Sequence, residues 1–134
     1  MCRKEIEAAI DSESPLYIDS KILSEKLPIL TRCLKESMRL NPTVPVVSRH
    51  LSEDVVYTDS NTNQEVVLMK DSILLWNLAM VNRNPRWWQR PDEFFPDHFL
   101  DENCKQRHPF AFAAFGAGPK SCIGNRFAMQ VNER

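Results

Sequence analysis

The residues best suited to chemistry lie near the end of the chain. Phe115-Gly-Ala-Gly118-Pro-Lys120-Ser-Cys122-Ile-Gly124 sets one thiol between glycine-bearing turns, just before the helix-forming composition of Arg126-Phe-Ala-Met-Gln-Val-Asn-Glu-Arg134. Free N–H groups and the dipole at a helix start favour a thiolate over a thiol. Such a sulfur serves as a nucleophile, a redox-sensing thiol or a metal ligand, the bland alternative being a buried, inert cysteine. No histidine is placed in sequence to argue for a nucleophile. Gly116 and Gly118 permit positive φ, Pro119 stiffens the next step, and Gly124 leaves room beside the sulfur. That loop suits main chain brought against a flat object.

Two further groupings carry suitable side chains. Glu36 and Arg39 are three apart, hence neighbours on one helix face, turned away from the Leu30/Leu34 stripe. Spacing alone reads them as a solvated ion pair worth about a few tenths of a kcal/mol. Cys104, His108 and Cys122 are zinc-ligand types, but their gaps fit no standard finger and no fourth ligand is evident. The four cysteines (Cys2, Cys33, Cys104 and Cys122) include no C-x-x-C pair and are expected to be reduced.

The elements that must position these residues follow from periodicity. Residues 1 to 11 read as the tail of a helix, with Ile6 and Ile10 four apart; no N-cap precedes Cys2, so the helix is expected to start upstream of this chain. Leu27, Leu30, Leu34 and Met38 step by three and four, Pro28 suits a first turn, and Pro42 forbids continuation past Asn41, which predicts a helix over Leu27 to Leu40. Between residues 49 and 76, Val55-Val-Tyr57, Val66-Val-Leu-Met69 and Ile73-Leu-Leu-Trp76 alternate with turn-rich segments and predict a small β meander. Leu78 to Asn82 fits one short helix. From Asn84 to Pro119 the chain holds five of its nine prolines and most of its aromatic rings. That composition predicts an ordered, irregular loop with its rings buried. The fold class expected is mainly α with a small β meander.

Length and composition narrow the function. A chain of 134 residues is one domain or part of one. A net charge of -1 and 26% charged residues give no electrostatic bias toward nucleic acid or anionic lipid. The longest apolar run, Ser72 to Val81, is interrupted by Asn77 and is far shorter than the roughly 20 residues of a membrane span. The charged start, Met1-Cys-Arg-Lys-Glu-Ile, lacks the apolar region of a secretory signal.

The cysteine loop resembles the Phe-x-x-Gly-x-(Arg or His)-x-Cys-x-Gly haem loop of the cytochrome P450 family of haem-thiolate monooxygenases. Glu36-Ser-Met-Arg39 resembles that family's Glu-x-x-Arg helix, and Pro96-Asp-His98-Phe99 its Pro-Glu-Arg-Phe segment. By this resemblance Cys122 is the proximal ligand of haem b iron, and Phe115, Gly118 and Gly124 shape the space around its sulfur. Lys120, in place of the usual Arg or His, would meet a haem propionate as a point charge rather than a fork. Arg49 would meet the other propionate, and Val46 and Val47 would face the distal pocket. The resemblance also overturns the surface-pair reading, because Glu36 and Arg39 become a buried network whose third member is His98 in place of the commoner arginine.

Arg107-His-Pro-Phe-Ala-Phe, the cysteine loop and Phe127-Ala-Met are most similar to the eukaryotic fatty-acid ω-hydroxylase branch. The implied parent enzyme hydroxylates a lipophilic, fatty-acid-like substrate with O2 and electrons from NADPH through NADPH-cytochrome P450 reductase. Its implied location is the cytosolic face of the endoplasmic reticulum membrane, held by an N-terminal anchor that this segment does not carry. No catalytic residue beyond the haem ligand is expected in this segment. The family's oxygen-activating helix has no match here, so residues 1–134 are expected to be the C-terminal haem-binding portion of a P450 domain, incomplete at both ends. The alternatives are a catalytically incompetent truncated product, a P450 that rearranges oxygenated lipids without O2, and a zinc or redox-thiol protein.

Overall fold

The computed structural model describes residues 2–9 and 27–132. Positions 10 and 11 of the expected first helix and the last two of the final one lie outside the described residues. Helix α1 is Cys2–Ala9 and α2 is Pro28–Leu40, with Pro28 in its first turn as its missing N–H allows. Leu27, at the N-cap, has no capping side chain. The start of α2 is instead satisfied from a distance, Glu5 accepting from Ile29 N (2.8 Å) and Leu30 N (2.9 Å). A carboxylate there also meets the positive end of the helix dipole. At the other end, the Asn41 N–H closes onto Ser37 O at 2.8 Å before Pro42 stops the helix.

The β region is two antiparallel pairs, one nested within the other. Strand β1, Val46–His50, pairs with β4, Ile73–Asn77, in a register that sets Val47 opposite Trp76 and Arg49 opposite Leu74. Between them, β2 (Val55–Thr58) and β3 (Glu65–Leu68) form a hairpin. Its turn is held by Asp59 Oδ1, which accepts from Asn61 N (2.7 Å) and Thr62 N (3.2 Å), and by Asn63 at φ +53°. Sequence periodicity placed the start of the β region near residue 49; β1 begins three residues earlier.

Strand β4 runs straight into α3, Leu78–Val81, where Asn77 caps Met80 N at 3.0 Å. Beyond it the chain is irregular apart from 3-10 turns at Pro96–Phe99, Pro109–Ala111 and Gly118–Lys120, helix α4 (Asp101–Gln106) and helix α5 (Asn125–Asn132). This is the ordered, irregular segment expected from its prolines and rings, with one correction. Trp88 and Phe99 are buried, whereas Phe94 and Phe110 are more than half exposed. The segment wraps a small centre, so only the rings on its inner side lose contact with water.

That centre is part polar. Leu27, Leu78, Trp88, Phe99, Ala111 and Ala113 are buried together with Glu36, Arg39, Asn82 and His98. By contrast the β1–β4 pair exposes Val46, Ile73 and Leu75.

Candidate haem site and its buried support

Glu36 and Arg39 on α2 are both 0% exposed, which corrects the solvated pair read from spacing alone. The i,i+3 spacing lets the guanidinium fork meet the carboxylate twice, Nε to Oε2 and Nη2 to Oε1, each at 2.8 Å. Its remaining donors reach backbone carbonyls: Nη1 to Asn82 O (2.9 Å) and Pro91 O (2.5 Å), Nη2 to Glu93 O (3.0 Å). All five N–H groups of Arg39 are therefore engaged. Glu36 Oε1 also accepts from Phe95 N at 2.9 Å and faces His98 Nδ1 at 3.1 Å. Burial alone would raise the Glu36 pKa, but the bonds from Arg39, Phe95 N and His98 outweigh it and hold the carboxyl below its ordinary value.

His98 takes the third place in the network, between the edges of Trp88 and Phe95. Its Nε2 lies 2.5 Å from Gln89 O. Both ring nitrogens thus face oxygen acceptors. Arg90 adopts φ +49° between Gln89 and Pro91, whose carbonyls are both drawn into the network. A left-handed non-glycine residue costs roughly 1–3 kcal/mol, held here by the bonds on either side.

The same centre carries the cysteine loop. Asn82 Oδ1 accepts from Ala113 N (2.9 Å) and Trp88 Nε1 donates to Ala111 O (3.2 Å), which fixes the strand of chain leading to Phe115. Cys122 N then donates to Phe115 O at 2.8 Å and closes the loop. Gly116 and Gly118 turn at φ +70° and +73°, a region other residues enter only with strain. A methyl on Gly124 would stand 3.8 Å from Cys122 Sγ, on the side of the sulfur that glycine leaves open. Helix α5 starts three residues after Cys122, as expected.

Cys122 lines a cleft of about 390 Å³ together with Phe115, Val47, Leu78, Arg49 and Lys120. Arg49 Nη2 donates to the backbone carbonyl of Lys120 at 3.3 Å, and both residues line the cleft. Strand alternation separates the two valines: Val47 lines the cleft, whereas Val46 is not among its lining residues and is 43% exposed. Gly118 and Gly124 stand beside the cleft rather than in its wall.

Sequence reasoning missed Met38 and Leu78 in the cleft wall and Asn82, Trp88 and Arg107 in its support. Arg107 stacks 3.7 Å from the Trp88 ring and donates to His98 O. Asn82 left one signal, a polar residue ending the apolar run of α3. Among the described residues, no group of three or more His, Cys, Asp and Glu side chains is placed to hold a metal ion.

A buried Glu–Arg–His knot beneath a cysteine in an apolar cleft is suited to holding a soft-metal group against that sulfur. A family model for cytochrome P450 matches residues 1–131, and this chain belongs to that family. Among its relatives, human Cytochrome P450 4F2 is 41% identical over 128 residues, 96% of this chain and 24% of the relative. Human Cytochrome P450 4F11 is also 41% identical over 96% of this chain and 23% of its own length. The mouse Leukotriene-B4 omega-hydroxylase 3 is 38% identical over the same share of the chain and 23% of its own length. The chain thus spans about a quarter of the length of the curated relatives it matches.

Membership implies a haem, and the residues present fit one. The cleft offers one soft sulfur donor in its wall, apolar side chains for a porphyrin face, and two basic residues, Arg49 and Lys120, in its lining for carboxylates.

Proposed function

We propose that this chain is the haem-ligand-bearing portion of a monooxygenase that hydroxylates a fatty-acid-like substrate at or near the chain terminus. One observation carries the reading: Cys122, Arg49 and Lys120 share an apolar cleft, the donor set for a flat ligand with a metal at its centre and acid groups at its edge. When bound, haem b supplies the redox chemistry that puts one oxygen atom of O2 into a C–H bond. Cys122 would hold the group through its thiolate. Lys120 and Arg49 would pair with the propionates, Lys120 as a point charge and Arg49 as a fork. Phe115, Gly118 and Gly124 leave the sulfur side open to a planar ring, and Val47 and Leu78 exclude water from the cleft.

Electrons come from NADPH through NADPH-cytochrome P450 reductase, and the whole enzyme works on the cytosolic face of the endoplasmic reticulum membrane. No helix among the described residues is long and apolar enough to cross a membrane. Lipid hydroxylation is supported by the likeness to the mouse relative, a leukotriene-B4 omega-hydroxylase.

The test has two stages. Reduced, haem-loaded protein under carbon monoxide is expected to give a thiolate-type Soret band that Cys122→His abolishes; an unchanged band in the variant overturns the ligand assignment. The whole enzyme with reductase, NADPH and a medium- or long-chain fatty acid is expected to give terminally hydroxylated product, and oxygen uptake without that product overturns the substrate class.

A second reading concerns the isolated chain. Ile73, Leu75, Met80 and Phe127 are each about two-thirds or more exposed, apolar surface that small stable domains rarely leave open. On that reading the 134 residues alone are catalytically incompetent, and haem titration of this exact chain without uptake or cooperative melting would establish it.

A further inference from the structure

Two of the three cysteines that the haem site does not use stand close together at the start of the fold. Cys2 Sγ on α1 lies 3.7 Å from Cys33 Sγ on α2, and all four thiols are free. The approach has a cause in the packing of the two helices. Cys2 and Glu5 are three apart and share one face of α1. On α2 the backbone donors of Ile29 and Leu30 precede Cys33 by four and three residues, so they too share a face. The Glu5 carboxylate grips those two donors at 2.8 and 2.9 Å. One anchored contact therefore fixes how α1 lies along α2 and presents Cys2 to Cys33 about one turn further on.

We propose that Cys2 and Cys33 are a redox modification site, closing to a reversible disulfide that ties α1 to α2. A disulfide needs sulfurs about 2.05 Å apart, and the 3.7 Å between them brings the two sulfurs close to that separation. Cys104 and Cys122 are exposed, unlike the partly buried pair.

The oxidant named by chemistry is a low-molecular-weight disulfide such as oxidised glutathione. Burial, then the hydrogen bond shared with Cys2, pushes the Cys33 pKa up to about 11. Cys33 is thus the protonated partner at neutral pH, and Cys2 makes the first attack. The Cys2 sulfur bonds to one sulfur of the small disulfide, whose S–S bond breaks and releases one thiolate. Cys33, losing its proton, then attacks the Cys2 sulfur and expels the second small thiolate. Two protein thiols are oxidised, one small disulfide is reduced to two thiols, and the two protein protons end on the released sulfurs.

The product would link covalently to α1 the helix that carries Glu36 and Arg39, the latter of which holds the carbonyls of residues 82, 91 and 93. Oxidation would thereby act on the support of the cleft without touching its cysteine.

The test is to incubate the full chain with oxidised glutathione at neutral pH, quench with acid, alkylate, and map the peptides by mass. A parallel sample is treated in concentrated guanidinium. In the denatured chain, loop closure favours the shorter Cys104–Cys122 span over Cys2–Cys33 by about twofold. The native chain is expected to reverse this, with Cys2–Cys33 linked about tenfold or more over any other pair and the species short of two hydrogens. Native pairing no different from the denatured sample, or a Cys2–glutathione adduct that persists while Cys33 is alkylated, would overturn the proposal.

Discussion

Replacing Glu36 by alanine is the most informative perturbation of this fold. The carboxylate accepts four hydrogen bonds, two from Arg39 at 2.8 Å and one each from Phe95 N and His98. With both charged partners 0% exposed, solvent cannot repair the loss. The alanine variant leaves the Arg39 guanidinium buried without its counter-charge, a situation that typically costs about 3–5 kcal/mol, whereas an exposed pair costs about 0–1. That is roughly a few hundred- to a few thousand-fold in the folding equilibrium, a large share of the about 5–15 kcal/mol that stabilises a typical protein. Haem uptake is therefore expected to fail outright rather than turnover merely slowing. Urea unfolding of variant and parent gives the energy, and haem titration the loading. Glu36→Met combined with Arg39→Met should cost less than the two single changes added, because the double variant buries no unpaired charge. A Glu36→Ala loss below about 1 kcal/mol, or normal haem loading, would refute the buried-network argument.

Other consequences are equally concrete. Because the Glu36 pKa is lowered on folding, its contribution is fully present above the ordinary carboxylate value of 4.5 and is lost as pH falls through the lower, folded value; Glu36→Gln should flatten that part of the acid-unfolding curve. His98→Ala should cost about 1–3 kcal/mol by leaving Gln89 O and one Glu36 lone pair unmet, and His98→Arg should recover most of it in urea unfolding. Arg49→Ala and Lys120→Ala should each speed haem loss to apomyoglobin while leaving the thiolate-type Soret position unchanged, since neither touches the sulfur. Glu5→Ala removes the cap of α2 and should lower stability by about 0.5–2 kcal/mol in the same unfolding experiment.

The sequence disclosed side chains better than it disclosed what they bind. Cys122 was legible because its glycines constrain backbone conformation locally, and Gly116 and Gly118 do turn at positive φ. Glu36 and Arg39 were legible as a pair but misread as solvated, since i,i+3 spacing fixes adjacency and says nothing of what later packs over it. The third member, His98, was found only through resemblance, because it lies 62 residues away from Glu36. Glu5 was not found at all, because spacing along the chain does not say which distant carboxylate meets the first N–H groups of α2.

The partners of Arg39 show why such gaps are physical. Three of its five bonds end on the carbonyls of Asn82, Pro91 and Glu93. Every residue type carries a carbonyl, so an acceptor of this kind leaves no mark in composition or spacing. What the guanidinium dictates is the path of the main chain, and that path is recorded in conformations such as φ +49° at Arg90. An arginine placed in sequence with no visible acid partners beyond one glutamate is thus a sign of irregular backbone folded around it. The long segment from Asn84 onward, unreadable by periodicity, is ordered in part because Arg39 is there to be satisfied.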